Sequence, residues 1–599
     1  MIKLSDYVIE FLVKKEIKDI FLVSGGGIMH LLDSVGNNKD ITYFCNYHEQ
    51  ACAIAAEGYA RMNNHIGVCI VTTGPGSTNA LSGIAGAWVD SVPVVVISGQ
   101  VRRDLIANYD KLRQFGPQEI NIIDMVRPIT KYAVTVMDPV MIRYELESAF
   151  THATSGRPGP VWINIPLDVQ DAMIDEASLR SFALENVISA AGSNHPTSLV
   201  SQTIHLLQKA QRPVLILGNG VRQAQADLLV SKFIETVKAP ALMTIGGMDL
   251  IGENHHLCMG RFGPVGQRRA NFALQNSDLV ISLGSSLSVA AIGFDTRGFA
   301  PHAKKIMVNI DANELHKPSF TPDLAVQTDV KWFIEEFLRQ VENIRFYPSP
   351  KWQEACCYWR KNYKTVTSDY LMDTQHVNSY VFADILSDML LSDAVVVTGN
   401  SLDIASIYHS FKVKLGQRVF TNINYGAMGW DLPSVIGACV AQNNRRTILV
   451  TGDGSFQFNI QELETVSYNR LDIKIFVLNN QGYESIRATQ NNFFRGLLVG
   501  ADAKSGINNP NFEKLAEAYR LQYAYIANNN NIRSTLEAVL TTEGPTLCEL
   551  NISYTQERSP KTMSVRHPDG TFESRPLEDQ YPFLSREELT HNMNLINNE

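Results

Sequence analysis

Two short polar stretches, each close behind an apolar β-branched run, could carry chemistry in this chain. Gly452-Asp453-Gly454-Ser455 follows Thr447-Ile448-Leu449-Val450, and Asn479-Asn480 follows Ile473–Leu478. Between them Ile460, Leu463 and Val466 recur at helical spacing. Strand, helix and strand of this length make a βαβ unit whose loops leave the carboxyl ends of two parallel strands. That edge is where open α/β sheets bind ligands. The glycines around Asp453 let backbone amides approach a phosphate. A carboxylate and an amide oxygen suit Mg²⁺, which takes few protein oxygens alongside substrate phosphates. Asp453 and Asn480 are therefore the candidate metal ligands.

GDG followed by NN at this spacing resembles the thiamine diphosphate motif. The chain before its tail is similar to the thiamine diphosphate-dependent decarboxylase and carboligase superfamily, which includes acetolactate synthase. The resemblance implies that Asp453, Asn480 and the carbonyl of Gly482 hold Mg²⁺, with Tyr483 beside the cofactor. It also implies that Gly399, Asn400 and Ser401, with Gly452, Gly454 and Ser455, bind the diphosphate. Met428, in Tyr425-Gly426-Ala427-Met428-Gly429-Trp430, takes the position of the apolar side chain that props the two cofactor rings apart. Gly26, Gly74 and Gly76 fit the loops that approach the pyrimidine and the substrate. Glu49, in Tyr47-His48-Glu49-Gln50-Ala51, matches the carboxyl group that shares a proton with the aminopyrimidine. Burial beside an apolar ring would raise its pKa, as that role needs.

The acceptor side departs from acetolactate synthases. Gln118 aligns with an active-site glutamine, but Pro117 stands where that family has phenylalanine. The tryptophan that shapes their acceptor pocket falls near Thr489, within Tyr483-Glu484-Ser485-Ile486-Arg487-Ala488-Thr489-Gln490. A hydroxyl in place of an indole opens volume, and Arg487 and Gln490 add donors. This suits a larger, more polar acceptor, such as a keto sugar. For Arg487 the alternative is a surface ion pair. The two arginines that grip FAD in acetolactate synthases are missing after Leu279–Gly284, where Ser285-Ser286-Leu287-Ser288 stands; Asp311 remains, so FAD stays open without being carried over.

Behind these residues stand elements that must position them. With 599 residues the chain exceeds one core. Apolar strands alternate with amphipathic stretches in three blocks, giving an α/β chain of three doubly wound parallel-sheet domains with a C-terminal tail. The expected limits are 1–185 for a pyrimidine-binding domain, 196–345 for a central domain, 365–555 for a diphosphate-binding domain and 556–599 for the tail. A small, polar linker is expected over Ala190–Ser198, and a tail with Pro560, Pro568, Pro576 and Pro582 is expected to drape over the surface. The Gly159-Pro160 strand and its echo at Gly544-Pro545 hint that the first and third blocks share a topology.

A net charge of −9 without a basic cluster argues against nucleic acid as a partner. No apolar run is long enough to span a membrane, and the N-terminus shows no signal-peptide pattern. Eight cysteines without a CxxC read as reduced core residues of a cytoplasmic protein.

The expectation is a thiamine diphosphate and Mg²⁺ enzyme that decarboxylates a 2-oxo acid, taken as pyruvate, and transfers the acyl unit to a carbonyl acceptor. The family's cofactor lies between two subunits, so the resemblance implies a homodimer or homotetramer. An ordinary acetolactate synthase, a simple 2-oxo acid decarboxylase and a non-catalytic scaffold remain the alternatives.

Overall fold

A computed structural model describes residues 1–183, 195–318, 320–566 and 569–595. Three six-stranded sheets carry the chain, and every pairing within them is parallel. Their strands are short runs of Val, Ile and Leu, buried on both faces as helix-covered parallel sheets require. Numbering strands along each sheet's own stretch of chain, the first and third sheets share one spatial order, 2-1-3-4-6-5. The hint of a common topology is thus borne out: Val161–Pro166 and Thr546–Asn551 fill the same place in the two sheets. The middle sheet differs, with order 3-2-1-4-5-6.

The first and third domains pack through two helices, Glu49–Asn63 and Asp431–Ala441. Gly58 and Gly437 allow this approach, because a Cβ on either would overlap backbone of the facing helix, at Ser434 and Ala55. One apolar cluster therefore runs through both domains, with Phe21, Trp162, Trp430 and Phe456 in it.

The expected linker over Ala190–Ser198 lies mostly outside the described residues, and Thr197 already opens the helix Thr197–Lys209. Pro568 also lies outside them. The tail does more than drape. Leu577 enters the middle domain's cluster, Gln580 is fully buried and donates to the Gly266 carbonyl at 2.9 Å, and Trp359 donates to Asn592 at 2.8 Å. A few apolar anchors and buried amide donors bind a segment whose composition reads as polar. All eight cysteines are free; six are buried, but Cys45 and Cys357 are exposed, so the core reading fails for those two. No helix among the described residues is long and apolar enough to cross a membrane.

Candidate active site

Three consecutive strands of the third sheet, Val395–Thr398, Thr447–Gly452 and Ile473–Asn479, end at one edge. Their loops bring together Gly399-Asn400-Ser401, Gly452–Ser455 and Asn480–Tyr483. Asp453 is 1% exposed, and burial pushes its carboxyl up to about 6. Amide donors from Gly482 (2.9 Å), Asn509 (2.6 Å) and Gly454 (2.8 Å) oppose that rise. Beside it Asn480 is buried, and its side-chain oxygen has no hydrogen-bond partner among the described residues. An orphaned buried acceptor next to a buried carboxylate costs free energy unless a cation satisfies both. This donor set fits Mg²⁺.

The loop geometry is held by its own turn. Gln481 and Gly482 both sit at positive φ, +64° and +127°, and a Cβ at Gly482 would overlap the Ala501 carbonyl. Gly454 is needed because the Tyr483 ring lies against it. Gly399 is needed because Asp403 and Asp431 crowd its Cα. Ser401 shares a hydrogen bond of 2.7 Å with Ser485, Asn400 donates to the Ala427 carbonyl at 3.0 Å, and Ser455 accepts from the Gly429 amide at 2.9 Å. The segment carrying the half-buried Met428 is thereby tied to the loops of Gly399–Ser401 and Gly452–Ser455.

The equivalent edge of the first sheet gathers a second group. Glu49 opens its helix half-buried, with one carboxylate oxygen accepting from Asn79 at 2.9 Å and the other facing Gly76. Gly74 has φ +63° against the Gln118 carbonyl. Gly25 and Gly27 are explained by Thr72 and Thr73, which a Cβ on each would strike, whereas Gly26 faces open space. Gln118 is exposed with φ +65°, in a loop pinned by buried Glu119, which accepts from the amides of Ala107 and Phe115.

On the acceptor side, Arg487 and Gln490 are both bonded to backbone within the chain. Arg487 is 4% exposed and donates to the carbonyls of Asn480 (3.0 Å) and Tyr554 (3.2 Å), with its guanidinium 4.2 Å from the Tyr554 ring. It braces the loop of Asn480–Tyr483 from a buried position and makes no ion pair among the described residues. Gln490 has its amide spent on both backbone groups of Val499, at 3.1 and 2.9 Å. Thr489 is exposed, and its hydroxyl bonds back to the Ser485 carbonyl at 2.9 Å.

Two residues escaped the sequence reading. Asn509 contacts Asp453 from far along the chain, inside a polar run that reads only as loop. Glu462 accepts from Asn46 and from the Tyr47 amide, both at 2.9 Å, tying the segment before Glu49 to the helix beyond Asp453.

Where FAD was left open, a cleft of about 340 Å³ opens between the domains, lined by Gly220, Gly284, Ser285 and Asn309. Its two lining cations are already engaged. Arg61 pairs with Glu57 and Asp90, and Arg157 pairs with Asp311 and Glu314. Asp311, the one remnant of the flavin pattern, is one of the carboxylates so paired. These residues do not offer a charged grip to a dinucleotide pyrophosphate, and no flavin is assigned.

Comparison with known proteins agrees with this architecture. Residues 2–125 match the thiamine pyrophosphate enzyme N-terminal TPP binding domain, 200–340 the central domain, and 398–550 the C-terminal TPP binding domain. The acetolactate synthase isozyme 2 large subunit of Escherichia coli (strain K12) is 31% identical over 578 residues, 96% of this chain and 99% of that protein. The probable acetolactate synthase large subunit of Methanococcus aeolicus is 30% identical over 564 residues, 92% of each chain. The acetolactate synthase large subunit of Porphyra purpurea is 31% identical over 561 residues, again 92% of each. The chain belongs to the thiamine pyrophosphate enzymes, within their acetolactate synthase-like group.

Proposed function

We propose that this protein is a thiamine diphosphate- and Mg²⁺-dependent carboligase. It decarboxylates pyruvate and joins the remaining two-carbon acyl unit to the carbonyl carbon of a keto sugar. The C1–C2 bond of the 2-oxo acid breaks and CO₂ leaves. A C–C bond forms at C2, and the acceptor oxygen takes a proton. Thiamine diphosphate, when bound, supplies the thiazolium that acts as electron sink for this exchange. Asp453 and Asn480, with the Gly482 carbonyl, hold the metal. The loops at Gly399–Ser401 and Gly452–Ser455, with Tyr483, would receive the diphosphate, and Met428 would lie against the cofactor's rings. Gly26, Gly74 and Gly76 leave room for it, Glu49 holds a proton at a carboxylate oxygen against the pyrimidine, and Gln118 faces the acceptor.

The observation that carries this reading is the convergence of the buried Asp453 carboxylate and the orphaned Asn480 oxygen at one sheet edge with the glycine loops. The Glu49 group and the Asp453 group would complete one another across a subunit interface in a homodimer or homotetramer. The domain limits go with this proposal: 1–185, 196–345, 365–555 and a 556–599 tail, in a cytoplasmic enzyme. A keto sugar is favoured over a second pyruvate by Thr489, which leaves open the space an indole would fill.

The test is pyruvate consumption with thiamine diphosphate and Mg²⁺, with and without keto-sugar acceptors, following CO₂ and product mass. A product heavier than the keto sugar by two carbons is expected. Acetolactate as sole product would assign the activity named for the relatives, free acetaldehyde would assign a simple decarboxylase, and no turnover would overturn the reading.

A further inference from the structure

Asn509 stands 56 residues after Asp453 in the chain, yet its side-chain amide donates to Asp453 Oδ2 at 2.6 Å and, more weakly, to Asn479 Oδ1 at 3.4 Å. The orientation of this amide is fixed twice. An ionised carboxylate only accepts, and Asn479 Oδ1 already accepts from the Gln481 amide at 3.1 Å, so the NH₂ group of Asn509 faces both. Its oxygen points elsewhere. That oxygen is shut off from solvent and has no hydrogen-bond partner among the described residues, and the same holds for the side-chain oxygen of Asn480. Two segments far apart in sequence thus each bring an orphaned amide oxygen to one buried carboxylate.

The segment that carries Asn509 is built against the same loop. The Ala501 carbonyl accepts from the Tyr483 amide at 2.9 Å, and Asp502 accepts from the Tyr554 hydroxyl at 2.6 Å. At the Asp453 carboxylate the donors are unequally shared. Oδ2 takes both the Gly482 amide and Asn509, whereas Oδ1 takes only the Gly454 amide. Each carboxylate oxygen offers two lone-pair sites, so Oδ2 is filled and Oδ1 keeps one open. Asn509 therefore decides which oxygen of Asp453 is left free. A side chain kept only for its shape gains nothing from a buried, unpaired oxygen, because such an atom costs free energy.

We propose that Asn509 is a positioning residue of the Mg²⁺ site. Its amide fills Oδ2 of Asp453 and so leaves Oδ1 to the ion, while its own oxygen accepts from water that the ion retains. Mg²⁺ keeps several of its waters when it binds, and partners outside the ligand set orient the ligands themselves. The role rests on the reading of Asp453 and Asn480 as metal ligands, and it adds a third side chain from a separate segment.

The test titrates the full-length protein, with thiamine diphosphate present, against Mg²⁺ and separately against Mn²⁺, whose paramagnetic signal reports its own binding. Asn509→Leu has nearly the same size but neither donates nor accepts, and it should bind both ions about 10–100-fold more weakly. Saturating Mg²⁺ should restore its affinity for the cofactor to within about threefold of wild type. Asn509→Ser keeps a donor and an acceptor on a shorter stem and should fall between; it carries the comparison if Asn509→Leu does not fold. Water-proton relaxation by bound Mn²⁺ should count the same number of waters in wild type and variant, since Asn509 acts through Asp453. One water more in the variant overturns positioning in favour of direct ligation. A lowered melting temperature of the metal-free variant with unchanged ion affinity makes Asn509 structural only and overturns the proposal. If wild type binds neither ion, the reading of Asp453 and Asn480 as ligands fails and takes Asn509 with it. Wild-type binding that Asn509→Leu matches removes Asn509 alone.

Discussion

Arg487 donates a 3.0 Å hydrogen bond to the carbonyl of Asn480, the proposed metal ligand whose buried side-chain oxygen has no partner among the described residues. A donor type that suggests substrate recognition in the sequence is bonded here to the backbone of a proposed ligand. Supporting contacts of this kind orient ligands, and their loss typically lowers metal affinity about 10–100-fold. Arg487→Met should weaken Mg²⁺ binding by that factor in a reconstitution titration with thiamine diphosphate, and Arg487→Lys by less. Unchanged metal affinity with a raised acceptor KM would return Arg487 to the acceptor.

Beneath the Gly399–Ser401 loop, Asp403 and Asp431 are both fully buried and near one another. Burial, then the neighbouring Asp431 charge, pushes Asp403 up to about 7, against the amides of Ser401 and Ile404 that bond its other oxygen. A carboxyl whose pKa is raised on folding binds more protons folded than unfolded between the two pKa values. Stability therefore falls as pH rises from about 4 to about 7. Urea midpoints of wild type and Asp403→Asn should diverge across that window, with the variant's profile the flatter. Parallel profiles would show that the pair shares no proton.

Glu57 joins the first and third domains from within their common core. It is fully buried, binds Arg61 at 2.6 and 2.9 Å, and accepts from Trp430 at 2.8 Å and from Asn422 at 3.2 Å. Removing one partner of a buried charge pair costs about 3–5 kcal/mol. Glu57→Ala should lose stability of that order in a denaturant titration, although Arg61 keeps Asp90. A loss below about 1 kcal/mol, the scale of a surface pair, would mean that water fills the gap.

The architecture was legible because buried parallel strands are near-continuous apolar runs, and those ending at Thr398, Gly452 and Asn479 each stop at a polar loop. The juxtaposition of Asp453 and Asn480 was legible for the same reason, since both sit at fixed offsets from strand ends. Asn509 was not, because it reaches Asp453 through tertiary folding alone. The backbone bonds of Arg487 and Gln490 were not legible, because a residue type names a donor but not its direction. The tail misled because a few buried groups, Leu577 and Gln580 among them, outweigh its polar composition.

Glu49 is the residue on which the proposed chemistry turns, and its surroundings separate binding from catalysis. Its carboxylate accepts from Asn79 and lies beside Gly76, so a glutamine would keep the shape and one polar contact but could not share an acidic proton. A positioned proton-transfer group contributes about 10²–10⁴-fold to rate. Glu49→Gln should therefore lower turnover of pyruvate by that factor. Affinity for thiamine diphosphate should fall far less, because the proposed metal and diphosphate contacts come from the other sheet edge. The two are measured on the same reconstituted samples, by CO₂ release and by quenching of protein fluorescence on cofactor binding. Turnover within threefold of wild type would remove Glu49 from the reaction. Equal losses in affinity and rate would make it a binding residue only.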